Sequence, residues 1–411
     1  MQAVAVGGRG TGWQASLAPE ARRDCVELAS CVAQRVVSPV RRARAVAAPA
    51  GLAGGDAGIA LMCGQLDRAL PSSGWDVAAH AALASAVAGI EASSTGSCGQ
   101  FTGLGGLAFV TGTLARDRRY SRLLATLDEA LAVRAPALIA AVRDGRDGVD
   151  PAQVDAISGL SGIAGGLLAR AGATSDPATI TAVLRTIVDL ALSPRGIDRW
   201  RASGEVDLGL AHGLAGPLAA LSIALSRGAE VPGQHDAIER LARWLVEQRL
   251  HDAYGPTWPA VAGSAARVRT AWCYGAPGIA RALWLAGCAL AAEPLRAIAV
   301  DAMQAVYRRP VEQRLIDSPT FCHGVAGLLQ ITLRFAHDTR LACFDRAAAE
   351  LADQLRAAYD PRALFGYRAL VEDGEPADLP GVLDGAAGVV LVLLAAATNA
   401  EPAWDRAFLL A

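Results

Sequence analysis

A Gly-x-x-Gly unit followed by an apolar helix recurs seven times along this chain of 411 residues, and no other feature narrows the possible folds as much. The glycine pairs are Gly55/Gly58, Gly103/Gly106, Gly159/Gly162, Gly213/Gly216, Gly275/Gly278, Gly324/Gly327 and Gly385/Gly388. Successive first glycines lie 48, 56, 54, 62, 49 and 61 residues apart. Each interval has room for two helices of ordinary length and their connections. Self-similarity at such a period marks a repeat architecture.

The composition favours helices. Hydrophobic residues make up 53% and aromatics only 5%; Ala and Leu, both strong helix formers, dominate, and the aromatic and β-branched signature of strands is thin. Between the motifs the helices read as amphipathic. Ile238, Leu241, Ala242 and Leu245 follow a helical stripe, as do Leu341, Phe344, Ala348, Leu351 and Leu355. Ser175-Asp176-Pro177 reads as a helix start, a cap followed by proline in the first turn. After the motifs, GLSGIAGGLLA and GLAGPLAALSIAL are apolar almost all round, so those helices should be buried on every face. The alternation predicts two layers, with glycines at i and i+3 letting helices or loops approach closely. We expect an all-α fold, an α/α toroid of seven inner and seven outer helices. Closure is favoured over an open stack because the candidate reactive residues all precede glycine motifs, and a ring gathers those positions at one end of a central cavity. Residues 1–45 read as a leading segment and 46–411 as a single domain.

The net charge of −2 argues against nucleic acid as a partner. The cluster Arg41, Arg42 and Arg44 reads as a solvated linker face. The start MQAVAVGGRGTG lacks the apolar core of a secretory signal, and the apolar stretch 385–399 falls short of a membrane span. A soluble, cytoplasmic protein is expected. The eight cysteines, at 25, 31, 63, 98, 273, 288, 322 and 343, form no compact disulfide pattern. Most read as small core residues, Cys288 and Cys343 inside apolar helical runs among them.

Cys273 and Cys322 differ, because each sits just before a glycine motif: Trp272-Cys273-Tyr274-Gly275 and Phe321-Cys322-His323-Gly324. Adjacent repeats would bring two thiolates and one imidazole together. Three protein ligands leave a fourth tetrahedral position for water or substrate, the pattern of a catalytic zinc. Two thiolates also make an electron-rich site, better suited to activating a thiol than to hydrolysis. Alone, each residue has an ordinary role as core cysteine or helix cap; together they favour a metal. His212 stands before the fourth motif as His323 does before the sixth, and is a candidate proton donor or acceptor. Asp155, four residues before Gly159, is either a helix cap or a functional carboxylate. Arg269, four before Cys273, either binds a substrate carbonyl or pairs with a carboxylate. Tyr274 is a cavity wall, a proton donor or packing. Asp56 and Asp384 read as caps.

Through its seven glycine motifs, and most specifically through AHGLAG, AWCYG, FCHG and the terminal LDGAAGVVLVLL, the chain resembles the LanC-like family of lanthipeptide cyclases, in its stand-alone form. The resemblance implies an α/α toroid and one zinc ion held by Cys273, Cys322 and His323. It implies that His212, Asp155, Arg269 and Tyr274 serve catalysis. The activity implied is C–S bond formation: a cysteine thiolate adds to dehydroalanine or dehydrobutyrine in a dehydrated precursor peptide, closing a (methyl)lanthionine ring. His212 would protonate the enolate, Arg269 stabilise its charge and Asp155 steer the chemistry around His212. A separate dehydratase, and an exporter, are the implied partners. No strand-rich insertion of the kind some members use for peptide docking is evident.

Three other readings stay open on sequence alone. A zinc α/α-barrel prenyltransferase-like protein would need a carboxylate ligand near a cysteine, and none stands near Cys273 or Cys322. A LanC-like protein that binds glutathione or adds small thiols would keep the same ligands. A helical scaffold would hold no metal.

Overall fold

The computed structural model describes residues 12–44, 50–92, 96–115, 119–145, 148–170, 176–194, 197, 200, 204–266, 269–370 and 375–411. Its helices are α1 (Pro19–Val37), α2 (Pro39–Arg42), α3 (Asp56–Ala69), α4 (Trp75–Ala92), α5 (Leu104–Leu114), α6 (Ser121–Asp144), α7 (Leu160–Ala169), α8 (Pro177–Leu192), α9 (Ala215–Ser226), α10 (Gln234–Glu247), α11 (Ala276–Ala289), α12 (Glu293–Arg308), α13 (Val325–Thr339), α14 (Ala342–Ala357) and α15 (Ala386–Ala397). Strands are confined to two small antiparallel hairpins among the described residues, β1 (Leu250–Asp252) with β2 (Gly255–Thr257), and β3 (Ala369–Leu370) with β4 (Pro376–Ala377).

The chain divides into two compact units, Met1–Ser94 with Leu315–Trp404, and Thr95–Arg314 with Asp405–Ala411. In the first, the buried helices α13, α15 and α3 pack side by side in that order, with α14 on α13, α1 on α15 and α4 on α3. The leading segment is part of this unit: Trp13 Nε1 donates to the Ala395 carbonyl at 2.8 Å. In the second, α5, α7, α9 and α11 follow one another, and α6, α8, α10 and α12 cover them.

Seven helices follow the glycine motifs, and these are the apolar ones. All twelve residues of α15 are buried, where each Leu or Val contributes about 1.5–3 kcal/mol. The covering helices bury only a stripe: Ile238, Leu241, Ala242 and Leu245 in α10, and Phe344, Ala348, Leu351 and Leu355 in α14. Asp176 caps α8 through its side chain, with Pro177 in the first turn; Ser175 lies outside the described residues.

Most of the motif glycines have a local cause. The loop before the helix folds back so that the amide after the first glycine reaches the carbonyl six residues before that glycine. Leu104 N–H bonds Ser97 O (2.9 Å), Leu214 bonds Asp207 (3.0 Å), Val325 bonds Ser318 (2.9 Å) and Ala386 bonds Leu379 (3.0 Å). Gly103, Gly159, Gly213, Gly324 and Gly385 line this turn with no room for a Cβ, and so does Gly388 one turn into its helix. One on Gly324 would meet the Ser318 carbonyl oxygen at 2.4 Å, and one on Gly388 the Val382 carbonyl oxygen at 2.0 Å. The expected close approach is therefore that of each loop's own carbonyls to the start of its helix.

The loops are also tied to one another. The carbonyl two residues before the first glycine accepts an amide from the preceding loop. In the second unit Phe101 N–H bonds Ile157 O (2.9 Å), Ala156 bonds Ala211 (2.9 Å) and Ala211 bonds Cys273 (3.5 Å). In the first, Cys322 bonds Leu383 (2.8 Å) and Leu383 bonds Ala53 (2.9 Å).

Three expectations fail. Arg41 and Arg42 are no solvated linker: Arg41 donates to the Leu364 carbonyl at 2.7 Å, and Arg42 pairs with Asp56. Asp56 does not cap α3, because its carboxylate is taken by Arg42 and Ser85. Cys288, in the last turn of α11, is exposed, and Cys343, in the first turn of α14, is half-buried; both stand at helix ends and not in the core.

Candidate functional site

The loops set side chains in columns. The residue before the first glycine is His212, Tyr274, His323 or Asp384 in four motifs, and the one before that is Cys273 or Cys322 in two. Since the ladder runs through the second of these columns, side chains of successive loops meet.

In the second unit, Ala156 bonding Ala211 sets Asp155 beside His212. The Asp155 carboxylate is buried, with 1% of the side chain exposed, and does two things. Oδ1 accepts the amides of Ile157 (3.0 Å), Ser158 (2.7 Å) and Gly159 (2.9 Å), which fixes the loop. Oδ2 lies 2.7 Å from His212 Nδ1. That bond raises the His212 pKa above its ordinary value, against the opposing effect of burial. With Nδ1 engaged and 47% of the side chain exposed, Nε2 is the nitrogen left for a substrate.

Asp207 escaped the sequence reading. It begins the same loop, six residues before Gly213, where the second and sixth motifs carry Ser97 and Ser318; only that alignment of loops signals it. Burial pushes its carboxyl pKa up, while the Gly209 amide, the Tyr274 hydroxyl and nearby His212 pull it down. Gly209 sits between the two loops, and a Cβ there would meet the Cys273 carbonyl oxygen at 2.2 Å and the Tyr274 ring at 3.0 Å. Cys273 is buried and Tyr274 half-buried. Gly275, which follows them, needs glycine for its backbone: φ is +82° at the start of α11. Gly324 does not, with φ −119°. Arg269 is exposed, at the first position of its loop.

In the first unit, Cys322 and His323 are half-buried before α13. His323 Nδ1 lies 3.7 Å from Asp384 Oδ1, an oxygen that is buried and has no hydrogen-bond partner. Asp384 therefore faces the imidazole and does not cap α15. Burial raises its carboxyl pKa, and His323 opposes that. A carboxylate behind Nδ1 leaves Nε2 as the ligand nitrogen, the arrangement that commonly orients a metal-binding imidazole. With a thiol beside it, this donor set fits zinc. Other thiols are of a different kind. Burial pushes Cys25 up to about 11 and Cys63 up to about 12, which keeps both neutral. A cleft of about 440 Å³ beside β1 contains none of the expected site residues.

The family model described as lanthionine synthetase C-like protein matches residues 47–409. The chain belongs to that family. Nisin biosynthesis protein NisC of Lactococcus lactis subsp. lactis is 27% identical over 202 residues, 46% of this chain. The alignment spans 44% of that relative's length. Among solved structures, nisin cyclase superposes with a TM-score of 0.75 at 22% identity, over 96% of this chain and 98% of its own. That likeness shows the fold class, the α/α toroid expected from the repeat. No helix among the described residues is long and apolar enough to cross a membrane.

Proposed function

We propose that the protein is a zinc-dependent cyclase that closes lanthionine or methyllanthionine rings in a dehydrated precursor peptide. The observation that carries the reading is the Asp155–His212 pair at 2.7 Å, an imidazole held by a buried carboxylate. Family membership and the ligand set Cys273, Cys322 and His323 support it. A zinc ion held by those three would lower the pKa of a peptide cysteine thiol and hold it as a thiolate. The sulfur lone pair forms the new bond to the β-carbon of dehydroalanine or dehydrobutyrine, and the C=C pair moves out to give the enolate. The His212 imidazolium delivers its Nε2 proton to the α-carbon. The thiol releases one proton, so the ring is an isomer of its precursor. Asp155 keeps the imidazole protonated and oriented, and Arg269 meets the developing negative charge. The peptide comes from a separate dehydratase and its product goes on to an exporter, in the cytoplasm.

Metal analysis with a cyclisation assay tests this. About one zinc per chain is expected, absent after Cys322→Ala. Wild-type protein should convert dehydrated peptide to a thioether that no longer reacts with thiol reagents. Addition of glutathione to the peptide without ring closure would replace this reading with that of a small-thiol-adding protein.

A further inference from the structure

Three loops share a turn at their first residue. Ser97 Oγ accepts the Gly99 amide at 3.1 Å, Ser318 Oγ accepts the Thr320 amide at 3.3 Å, and Asp207 Oδ1 accepts the Gly209 amide at 2.7 Å. A hydroxyl suffices for that task, so a buried carboxylate at the same position is surplus to it. Desolvating a charge costs far more than desolvating a hydroxyl, unless the charge gains partners. Asp207 has one that the serines lack, the Tyr274 hydroxyl.

We propose that Asp207 is a positioning residue that acts through Tyr274: its carboxylate takes the phenolic hydrogen bond and so fixes both where the ring lies and which way the hydroxyl points. Because the O–H is donated to Asp207, the Tyr274 oxygen offers the peptide an acceptor. Tyr274 is then not the proton donor of the reaction; that task stays with His212. A backbone amide of the peptide is the group an acceptor beside Cys273 would hold, which would align the dehydrated residue for attack. The inference rests on the cyclase reading for the reaction it serves, though not for the hydrogen bond itself.

Three variants separate positioning from loop capping. Asp207→Ser keeps the cap in the form that Ser97 and Ser318 use. Asp207→Asn is isosteric, keeps an oxygen for the Gly209 amide and turns an N–H toward Tyr274. Both should fold and bind zinc as wild type does, yet lower kcat about tenfold or more. A capping role predicts wild-type rates for both and would overturn the proposal. Tyr274→Phe should lose a similar factor, and Asp207→Asn/Tyr274→Phe should be no slower than the slower single variant. Multiplying losses would mean that the two residues act separately. The hydrogen bond has its own readout in protein labelled with ¹³C at the tyrosine Cζ. The Tyr274 signal, assigned as the one missing in Tyr274→Phe, should move in both Asp207 variants. An unmoved signal overturns the pairing whether or not the protein cyclises peptides. A moved signal in a protein that forms no thioether would instead sink the cyclase reading and leave the pairing standing.

Discussion

The loops 207–213 and 318–324 close in the same way and have different chemistry. Each closes on a bond from the helix to its first carbonyl, at 3.0 and 2.9 Å, and each puts a histidine just before its glycine. What differs is the neighbour. His212 Nδ1 meets Asp155, whose other oxygen is saturated by three amides, at hydrogen-bond distance. His323 Nδ1 has Asp384 3.7 Å away, with the facing oxygen unpartnered. One imidazole is held at hydrogen-bond distance by a carboxylate that raises its pKa, whereas the other is backed by a looser carboxylate and has a cysteine beside it. The repeat supplies a position, and the adjacent loop decides what the position does. By the same logic the first residue is a hydroxyl bonded within its own loop as Ser318, and a carboxylate that reaches Tyr274 in the next loop as Asp207.

The comparison breaks most visibly with the two histidines exchanged for alanine. His323→Ala should lose zinc and ring formation together, measured as metal content and thioether yield. His212→Ala should keep its zinc and lose about 10²–10⁴ in kcat. If both variants retained zinc, the two positions would not differ as argued. Asp155→Asn comes next. Its oxygen can still accept the loop amides, so the fold should hold, but His212 loses the anion that raises its pKa above 6.5. The protonated donor is present below that pKa and is lost as pH rises through it. The alkaline limb of the kcat profile should therefore move to lower pH in the variant. The same sign applies to folding: the stabilisation from the pair is complete below pH 6.5 and fades as pH rises through the folded-state value. An unmoved limb would remove His212 from proton transfer. A smaller effect belongs to Asp384→Asn, where zinc affinity in a chelator competition should fall about 10- to 100-fold, the usual cost of losing the group behind a ligand histidine.

Much of this was legible in the sequence, and the reason is periodicity. Seven glycine pairs and two kinds of hydrophobic pattern define the helices, and Cys273, Cys322, His323 and His212 stand out because they sit at fixed offsets from those glycines. The lateral bonds were not legible. Nothing local says that the Ala156 amide reaches Ala211, and without that bond Asp155 is a cap and nothing more. Asp384 reads as a cap and Asp207 goes unremarked for the same cause: their partners, His323 and Tyr274, lie more than sixty residues away along the chain. The arginines at 41 and 42 misled because a charge cluster reads as solvated, while here they dock on Leu364 and Asp56.

The smallest expected effect sharpens the contrast between the first residues of the two loops. Ser318 accepts the Thr320 amide at 3.3 Å and shares a hydrogen bond with its hydroxyl at 2.9 Å, and it is buried. Ser318→Ala therefore takes a hydrogen-bond partner from both the amide and the hydroxyl of buried Thr320, with no charge stranded. A loss of about 1–3 kcal/mol follows, read as a lower midpoint in urea with an unchanged slope. Zinc content should stay the same, because the Cys322 amide remains tied to Leu383 at 2.8 Å and the Val325 amide to the residue 318 carbonyl at 2.9 Å, both through the backbone. If Ser318→Ala cost kcat as much as Asp207→Ser while zinc stayed in place, the first residue of the loop would matter for the same reason in both. The carboxylate at 207 would then have no task of its own.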